Sequence, residues 1–161
     1  MKKIVSFISF GLLTVFGYGQ SQLLEAFLDY KSFHAPDGKN MLEVYMQINA
    51  ATVAFRPLPN KNLQSSVEIT QVIKKGDTII DFKKNVLFSP EMVDSTIEDF
   101  KDQQRFILED GNYEMEISIK DLYALTDKTY TTTVPVTVKR NDMEIRFSDI
   151  QLIESFKKAE S

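Results

Sequence analysis

Histidine, the side chain with the widest catalytic use, occurs once in this chain, as His34. A Ser-His-Asp site needs a serine within reach of the imidazole and a buried acid that orients it. No serine here stands in the Gly-x-Ser-x-Gly pattern that presents a nucleophile on a strained turn. Because His34 lies beside Pro36 and Gly38, which are typical of turns, we predict an exposed loop histidine and no catalytic residue.

A second group of side chains that could do chemistry is acidic and consists of Asp94, Glu98, Asp99 and Asp102. Carboxylate oxygens in a loop can bind Ca²⁺. Their spacing does not match the Asp-x-Asp-x-Asp-Gly pattern of an EF-hand, and the sequence has no glycine-rich phosphate loop. The group therefore predicts a solvated acidic surface, and the sequence predicts neither a metal site nor a cofactor.

Tyr45 is the candidate binding residue. It lies between Glu43 and Gln47 on the side of a strand that we expect to point outwards. Exposed aromatic rings on a sheet can stack on sugars or fill a pocket in a partner, although single outward tyrosines are also common on strands. Glycan binding would need a second aromatic ring on the same face, for example Tyr123 or Tyr130.

Composition excludes several classes of function. The chain of 161 residues has no cysteine, so it forms no disulfide, thiolate nucleophile, cysteine-bound metal site or lipoprotein-type lipid anchor. Its formal net charge of -4 argues against a protein that tracks nucleic-acid phosphates, because such proteins present a basic surface. We therefore expect no nucleic-acid partner.

Residues 1–19 have the pattern of a secretory signal peptide. Lys2 and Lys3 form the positive start, residues 4–16 form an apolar run, and Gly17-Tyr18-Gly19 supplies small residues for cleavage after Gly19. A membrane anchor that stays uncleaved is the alternative, but the apolar run is short for a span. We therefore expect export to the periplasm or the cell exterior, with no transmembrane span in the mature chain.

The elements that would position these residues are strands, and the most regular one lies within residues 108–120. Asp110-Gly111-Asn112 predicts a turn in which Gly111 adopts a positive φ angle. Apolar and polar residues then alternate, which predicts a half-buried antiparallel strand. The side chains that we expect to face inwards are Tyr113, Met115, Ile117 and Ile119.

Tyr113 and Met115 give this strand a further interpretation. In immunoglobulin-like sandwiches a tyrosine near the start of strand F precedes a cysteine by two residues, and its hydroxyl bonds to the backbone just upstream. Met115 occupies the position of that cysteine, so the stretch resembles a tyrosine corner without the disulfide. An ordinary strand that carries a tyrosine would explain the same residues. On either interpretation Gly111, Tyr113 and Met115 are structural.

Similar alternation recurs along the chain. It predicts strands at residues 25–33, 41–50, 64–73, 78–88, 105–108, 130–138 and 143–147. Loops are predicted at residues 56–62 and 121–128, and the capping-box spacing of Ser95 and Glu98 predicts a helical turn over residues 96–102. One face of the strand at 78–88 is formed by Ile80, Phe82, Val86 and Phe88.

These elements predict an all-β fold, an immunoglobulin-like antiparallel β-sandwich of about seven to eight strands. The sandwich would occupy residues 20–156, after the signal peptide and before a tail at residues 157–161. Prolines constrain strand pairing, because proline lacks a backbone donor and is found on edge strands or at bulges. Pro57 and Pro59 therefore favour a loop at residues 56–62, and Pro135 predicts an edge strand or a bulge.

Six segments of the chain are distinctive: Asp29-Tyr30-Lys31-Ser32-Phe33, Leu42-Glu43-Val44-Tyr45-Met46, Ser66-Val67-Glu68-Ile69-Thr70, residues 100–106, residues 108–113 and Ser148-Asp149-Ile150-Gln151-Leu152. Together they resemble the amino-terminal region of exported Bacteroidetes proteins of the GWxTD domain-containing type. The Gly-Trp-x-Thr-Asp motif is absent, and such proteins usually continue well beyond the last marker. The resemblance implies a stand-alone amino-terminal module or part of a longer protein, and it implies no catalytic activity.

The sequence therefore predicts an exported, non-enzymatic module that serves as a structural or protein-interaction part of the bacterial cell envelope. Its expected partners are other envelope proteins or further domains of a longer chain. Two alternatives remain at this point: a glycan-binding module, and an accessory amino-terminal domain of a longer exported enzyme.

Overall fold

A computed structural model describes residues 23–34, 39–93, 95–139 and residue 149. The described residues contain eight strands: β1 (Ala26–His34), β2 (Asn40–Ile48), β3 (Phe55–Pro57), β4 (Leu63–Lys75), β5 (Thr78–Phe88), β6 (Phe100–Leu108), β7 (Gly111–Asp121) and β8 (Thr129–Val138). A 3-10 turn, Ala50–Thr52, follows β2. The predicted signal peptide, the strand at residues 143–147 and the tail at residues 157–161 lie outside the described residues.

The eight strands form two sheets in which all described pairings are antiparallel. The smaller sheet has the order β1-β2-β6. The larger sheet has the order β3-β4-β7-β8, and β5 is also paired with β4. Apolar side chains from both sheets form one continuous core. The predicted all-β sandwich is therefore confirmed.

The core is built by strict alternation along the middle strand of each sheet. The inward side chains of β2 are buried: Leu42, Val44, Met46 and Ile48. On β7 the same holds for Tyr113, Met115, Ile117 and Ile119. Because successive side chains on a strand point to opposite faces, these two patterns fix which side of each sheet is covered.

The chain crosses from the smaller to the larger sheet between β6 and β7, which are joined by Glu109 and Asp110 alone. The Tyr113 hydroxyl donates to the backbone oxygen of Glu109 at 2.9 Å, four residues upstream, as expected for a tyrosine corner. Asp110 is held from the smaller sheet, because the amide of Asn40 on β2 donates to its carboxylate at 2.6 Å. Hydrogen bonds from both sheets therefore hold the crossing in place.

The positive φ angle predicted for Gly111 is wrong. Gly111 begins β7 and does not have a positive φ angle. A Cβ at this position would lie 3.1 Å from the Lys75 ammonium and 3.4 Å from ring atoms of Tyr113. The glycine therefore leaves space for the corner tyrosine and its neighbour rather than supplying a left-handed backbone.

Two further predictions about the chain path are corrected. Residues 96–102 form no helical turn, because β6 already begins at Phe100 and the chain turns before it at Ser95, which has a φ of 61°. The loop predicted at residues 56–62 begins too early, because Arg56 and Pro57 belong to a short strand, β3. Among the described strands β3 pairs with β4 only, and proline, which lacks a backbone donor, is tolerated on such an edge strand.

The strands predicted at residues 78–88 and 130–138 are confirmed as β5 and β8. β4 and β5 are joined at Gly76, whose φ of 59° is the left-handed conformation that glycine adopts without strain. β8 pairs only with β7 among the described strands, so Pro135 does lie on an edge strand. In the smaller sheet, the Asp149 backbone N–H donates to the backbone oxygen of Ser32 on β1 at 3.1 Å.

Candidate functional site

The outward face of β5 is apolar and open to solvent. Its side chains are Ile80, Phe82, Val86 and Phe88, with exposed fractions of 45, 64, 45 and 53%; we call them the outer apolar row. They stand beside outward residues of β4, where Val72 is in register with Phe82. Contiguous exposed apolar surface of this kind marks interaction sites in folded proteins.

The inward face of β5 is mostly polar. Asp81, Lys83 and Asn85 point into the sandwich, and Leu87 alone on this face packs against the apolar core. The Lys83 ammonium lies 5.3 Å from the centre of the Phe106 ring, a cation–π distance. β5 is therefore reversed relative to the usual arrangement, in which a sheet turns its apolar side chains towards the core.

A polar group on the facing strand explains why β5 tolerates this reversal. Asp102 points inwards from β6 and is buried, so its carboxylate needs hydrogen-bond donors. Asn85 donates to it at 3.1 Å and Gln104 at 3.0 Å, while the buried Gln71 amide lies 3.5 Å away. Asn85, on the inner face of β5, thus completes the surroundings of Asp102.

The row also lies along an unpaired strand edge. Among the described strands β5 pairs with β4 only, so its other edge presents backbone donors and acceptors that no described strand uses. Lys84 interrupts the row and is paired with Glu68 on β4 at 2.9 Å. A lysine on an edge strand is a usual protection against uncontrolled strand pairing.

A second candidate region lies on the outward face of the smaller sheet, where a cleft of about 770 Å³ opens to solvent; we call it the outer cleft. Among its lining residues are two rows of three side chains in register across β1, β2 and β6: Asp29-Tyr45-Gln103 and Phe27-Gln47-Lys101. Phe27 is the most exposed aromatic residue of the cleft, at 64%. The cleft therefore joins an exposed ring to a polar floor.

Glu43 organises one side of this cleft. It is buried although it points outwards, and its carboxylate accepts hydrogen bonds from three neighbours. Arg105 Nε donates at 2.5 Å, Gln103 Nε2 at 3.2 Å, and the third donor is the Tyr45 hydroxyl. The carboxylate thus fixes the positions of a ring, an amide and a guanidinium.

The titration of Glu43 and Tyr45 reflects this arrangement. Burial alone would raise the pKa of Glu43, but hydrogen bonds from Tyr45 and Arg105 and the charge of Arg105 hold that pKa below its ordinary value. Burial, together with the neighbouring Glu43 carboxylate, raises the pKa of Tyr45 to about 12. Near neutral pH the pair therefore consists of an ionised acid and a neutral phenol.

The structure places Tyr45 at the outer cleft but separates it from the other tyrosines considered. Tyr123 lies in the loop after β7, where the Arg56 guanidinium is 4.4 Å from its ring centre. Tyr130 lies on β8 in the other sheet, with the Lys128 ammonium 4.6 Å from its ring centre. The three rings do not share a face, and the aromatic neighbour of Tyr45 in the cleft is Phe27 instead.

His34 and the acidic residues do not form a catalytic or metal-binding group in the described part of the chain. His34 is the last residue of β1 and is half-buried, not an exposed loop residue as predicted, and its Nδ1 lies 2.7 Å from Asn40 Oδ1. Asp99 accepts from the Ala50 backbone, whereas Asp102 faces the interior. No three acidic, histidine or cysteine side chains converge there as metal ligands; Asp94 lies outside the described residues.

Comparisons with protein-family models, with curated proteins and with solved structures found no significant match. Across the described ranges, no helix is both long and apolar enough to cross a membrane. The functional argument therefore depends on the two surfaces themselves, the outer apolar row and the outer cleft.

Proposed function

We propose that this chain is an exported, non-enzymatic interaction module of the bacterial cell envelope, and that it binds a partner protein at the outer apolar row. The observation that carries the proposal is the reversal of β5, which exposes Phe82 and its three apolar neighbours while polar residues point inwards. Exposing these side chains to water costs free energy at about 25 cal/mol per Å² of apolar surface. A partner that covers the row would recover that free energy.

The partner that fits this surface is an extended protein segment with apolar side chains at alternate positions. The edge of β5 that no described strand uses offers backbone groups to a further strand. In recognition by strand addition, main-chain hydrogen bonds supply affinity and alternate side chains supply specificity. A strand added to β5 would place its outward side chains beside Phe82 and Val86, extending the apolar surface from one strand to two.

The finer assignments belong to the same proposal. An immunoglobulin-like fold is supported by the neighbouring pairs β2-β6 and β4-β7 in opposite sheets, and by the Tyr113 hydrogen bond where the chain crosses between them. Export is supported by the pattern of residues 1–19. The resemblance to GWxTD-type proteins supports an envelope role, including that of an accessory domain in a longer protein.

Site-specific crosslinking tests the docking surface. A photo-reactive phenylalanine analogue is placed at position 82 in cells that export the chain, and at position 114 as the matched control. Glu114 is exposed on the same outward face of the same sheet but lies on β7, away from the free edge. We expect one discrete adduct from position 82 and none from position 114.

A reconstituted pair then decides whether the row itself binds. The protein captured at position 82 is identified by mass spectrometry and purified with the chain. We expect Phe82→Ser to weaken the interaction at least about tenfold and Phe27→Ser, an equally exposed change on the other sheet, to leave it unchanged. Equal adducts from positions 82 and 114, or an interaction that survives Phe82→Ser, would contradict the proposal.

A further inference from the structure

We propose that the outer cleft is a binding site for a saccharide, formed by the face of the smaller sheet opposite to its core. This proposal is independent of partner docking at β5, because the two surfaces share no residue and lie on different sheets. It assigns a second binding function to the molecule, on residues of β1, β2 and β6.

The dimensions of the lined surface suit one or two sugar rings. Neighbouring strands lie about 4.8 Å apart and alternate side chains on a strand about 7 Å apart. Two rows across three strands therefore cover about 10 by 7 Å, which is comparable with the length of a disaccharide. The cleft volume of about 770 Å³ falls within the range typical of ligand sites.

The exposed ring of Phe27 provides an apolar platform. A pyranose ring has a face of C–H groups that can stack on an aromatic ring, while its hydroxyls project around the rim. Tyr45 stands diagonally from Phe27 on the adjacent strand, because its register partner on β1 is Asp29. Its hydroxyl is held by Glu43, so the ring is fixed before any ligand binds.

Two amide groups beside the platform are oriented for a ligand with many hydroxyls. Gln47 Nε2 donates to Asp99 at 2.8 Å, and Gln103 Nε2 donates to Glu43 at 3.2 Å. Since the nitrogen of each planar amide faces a carboxylate, its oxygen is turned elsewhere, and neither oxygen accepts a hydrogen bond from the described residues. Two fixed acceptors are thus left for sugar hydroxyl donors.

Charge favours a saccharide over a strongly charged ligand. The cleft is lined by Lys31 and Lys101 but also by Asp29, and Lys31 is already paired with Asp29 at 3.0 Å. A polyanion would meet the carboxylate of Asp29 as well as the lysines. A neutral sugar requires no net charge, and its hydroxyls can both donate to the amide oxygens and accept from Lys101.

Titration of the purified chain with soluble sugars tests the inference. The probes are cellohexaose, maltohexaose and the N-acetylglucosamine tetramer, followed by amide chemical shifts in ¹H–¹⁵N spectra. We expect at least one probe to shift the side-chain amides of Gln47 and Gln103 with a dissociation constant of about 1 mM or tighter. Phe27→Ala should weaken that binding about tenfold, because it removes the stacking platform.

The matched control is Phe88→Ala, the same change at a similarly exposed residue of the outer apolar row. We expect it to leave sugar binding unchanged. The inference is overturned if none of the probes shifts either amide at about 10 mM, or if Phe27→Ala and Phe88→Ala have the same effect. Because partner docking is tested separately with Phe82→Ser, this inference and the proposed function can fail independently.

Discussion

β5 and β7 pair with the same stretch of β4, one on each side, yet they turn opposite kinds of side chain to the interior. β7 buries Met115 and Ile117 and exposes Glu114. β5 exposes Phe82 and points Asn85 inwards. The two strands have similar lengths and equally regular alternation, so neither length nor pattern explains the difference.

The position of each strand in the sheet explains why β5 and β7 turn different side chains to the interior. β7 lies between β4 and β8, so it is a central strand whose inward side chains join the common core. β5 lies at an edge of the sheet that the described strands form, and the buried carboxylate of Asp102 on the facing β6 requires polar neighbours. The comparison teaches that an edge strand can give up its share of the core when the strand that faces it buries a polar side chain.

The largest effect that we expect comes from truncating the core side of β7. Met115→Ala should lower the free energy of unfolding by about 2–5 kcal/mol, because it removes a fully buried side chain and leaves a cavity. Urea unfolding of the purified chain measures this. A loss below about 1 kcal/mol would mean that β7 does not anchor the core and that the contrast with β5 is smaller than proposed.

The next effect concerns the entry into β7. Tyr113→Phe keeps the ring but removes the hydroxyl that donates to Glu109, so we expect a loss of about 1 kcal/mol in the free energy of unfolding. The same urea titration measures it, with Tyr130→Phe on edge strand β8 as the control. Equal losses in both variants would show that the corner hydrogen bond has no special role.

The outward face of the smaller sheet extends the comparison of which side chains are buried. There the buried side chain is polar, because it is that of Glu43. Burial and the Glu43 carboxylate raise the pKa of Tyr45 to about 12, from an ordinary tyrosine value of about 10. The stabilising contribution of Tyr45 is therefore present below pH 10 and is lost as pH rises towards 12. Melting temperatures at pH 9 and pH 11.5, roughly on either side of the unfolded pKa, should therefore differ less in Tyr45→Phe than in the wild type. Identical differences would place Tyr45 outside the hydrogen-bond network.

The smallest effect on stability should come from the outer apolar row. Phe82→Ser should change the free energy of unfolding by no more than about 0.5 kcal/mol, because the side chain is largely exposed. Solubility, measured by precipitation with ammonium sulfate, should increase. A loss as large as that of Met115→Ala would show that Phe82 is buried in solution, and the reversal of β5 would then be wrong.

Much of the fold could be predicted because β2 and β7 combine unbroken alternation with clear turns. β6 was predicted only at residues 105–108, because Asp102 and Gln104 are polar at inward positions and conceal the start of the strand. The 3-10 turn and β3 were missed for a related reason: the chain changes sheets there within a few residues, and such a crossing has no period of its own.

The candidate surfaces could be predicted only in part. Alternation shows that Ile80, Phe82, Val86 and Phe88 share a face, but a period of two does not say which face meets the core. Lys84 within the row was the available signal, since a lysine is seldom placed in the middle of a buried face. Tyr45 was identified from its strand, whereas Phe27 became significant only once β1 was in register with β2.

The two-residue link between β6 and β7 has a consequence for the order of assembly. β4 and β5 are adjacent in the chain and can form a hairpin in about 1–10 μs. The β2–β6 ladder must wait for partners that are far apart, such as Glu43 and Arg105, which are 62 positions apart. Since β6 leads directly into β7, we expect both sheets to close in a single late event, measurable as one exponential phase in refolding.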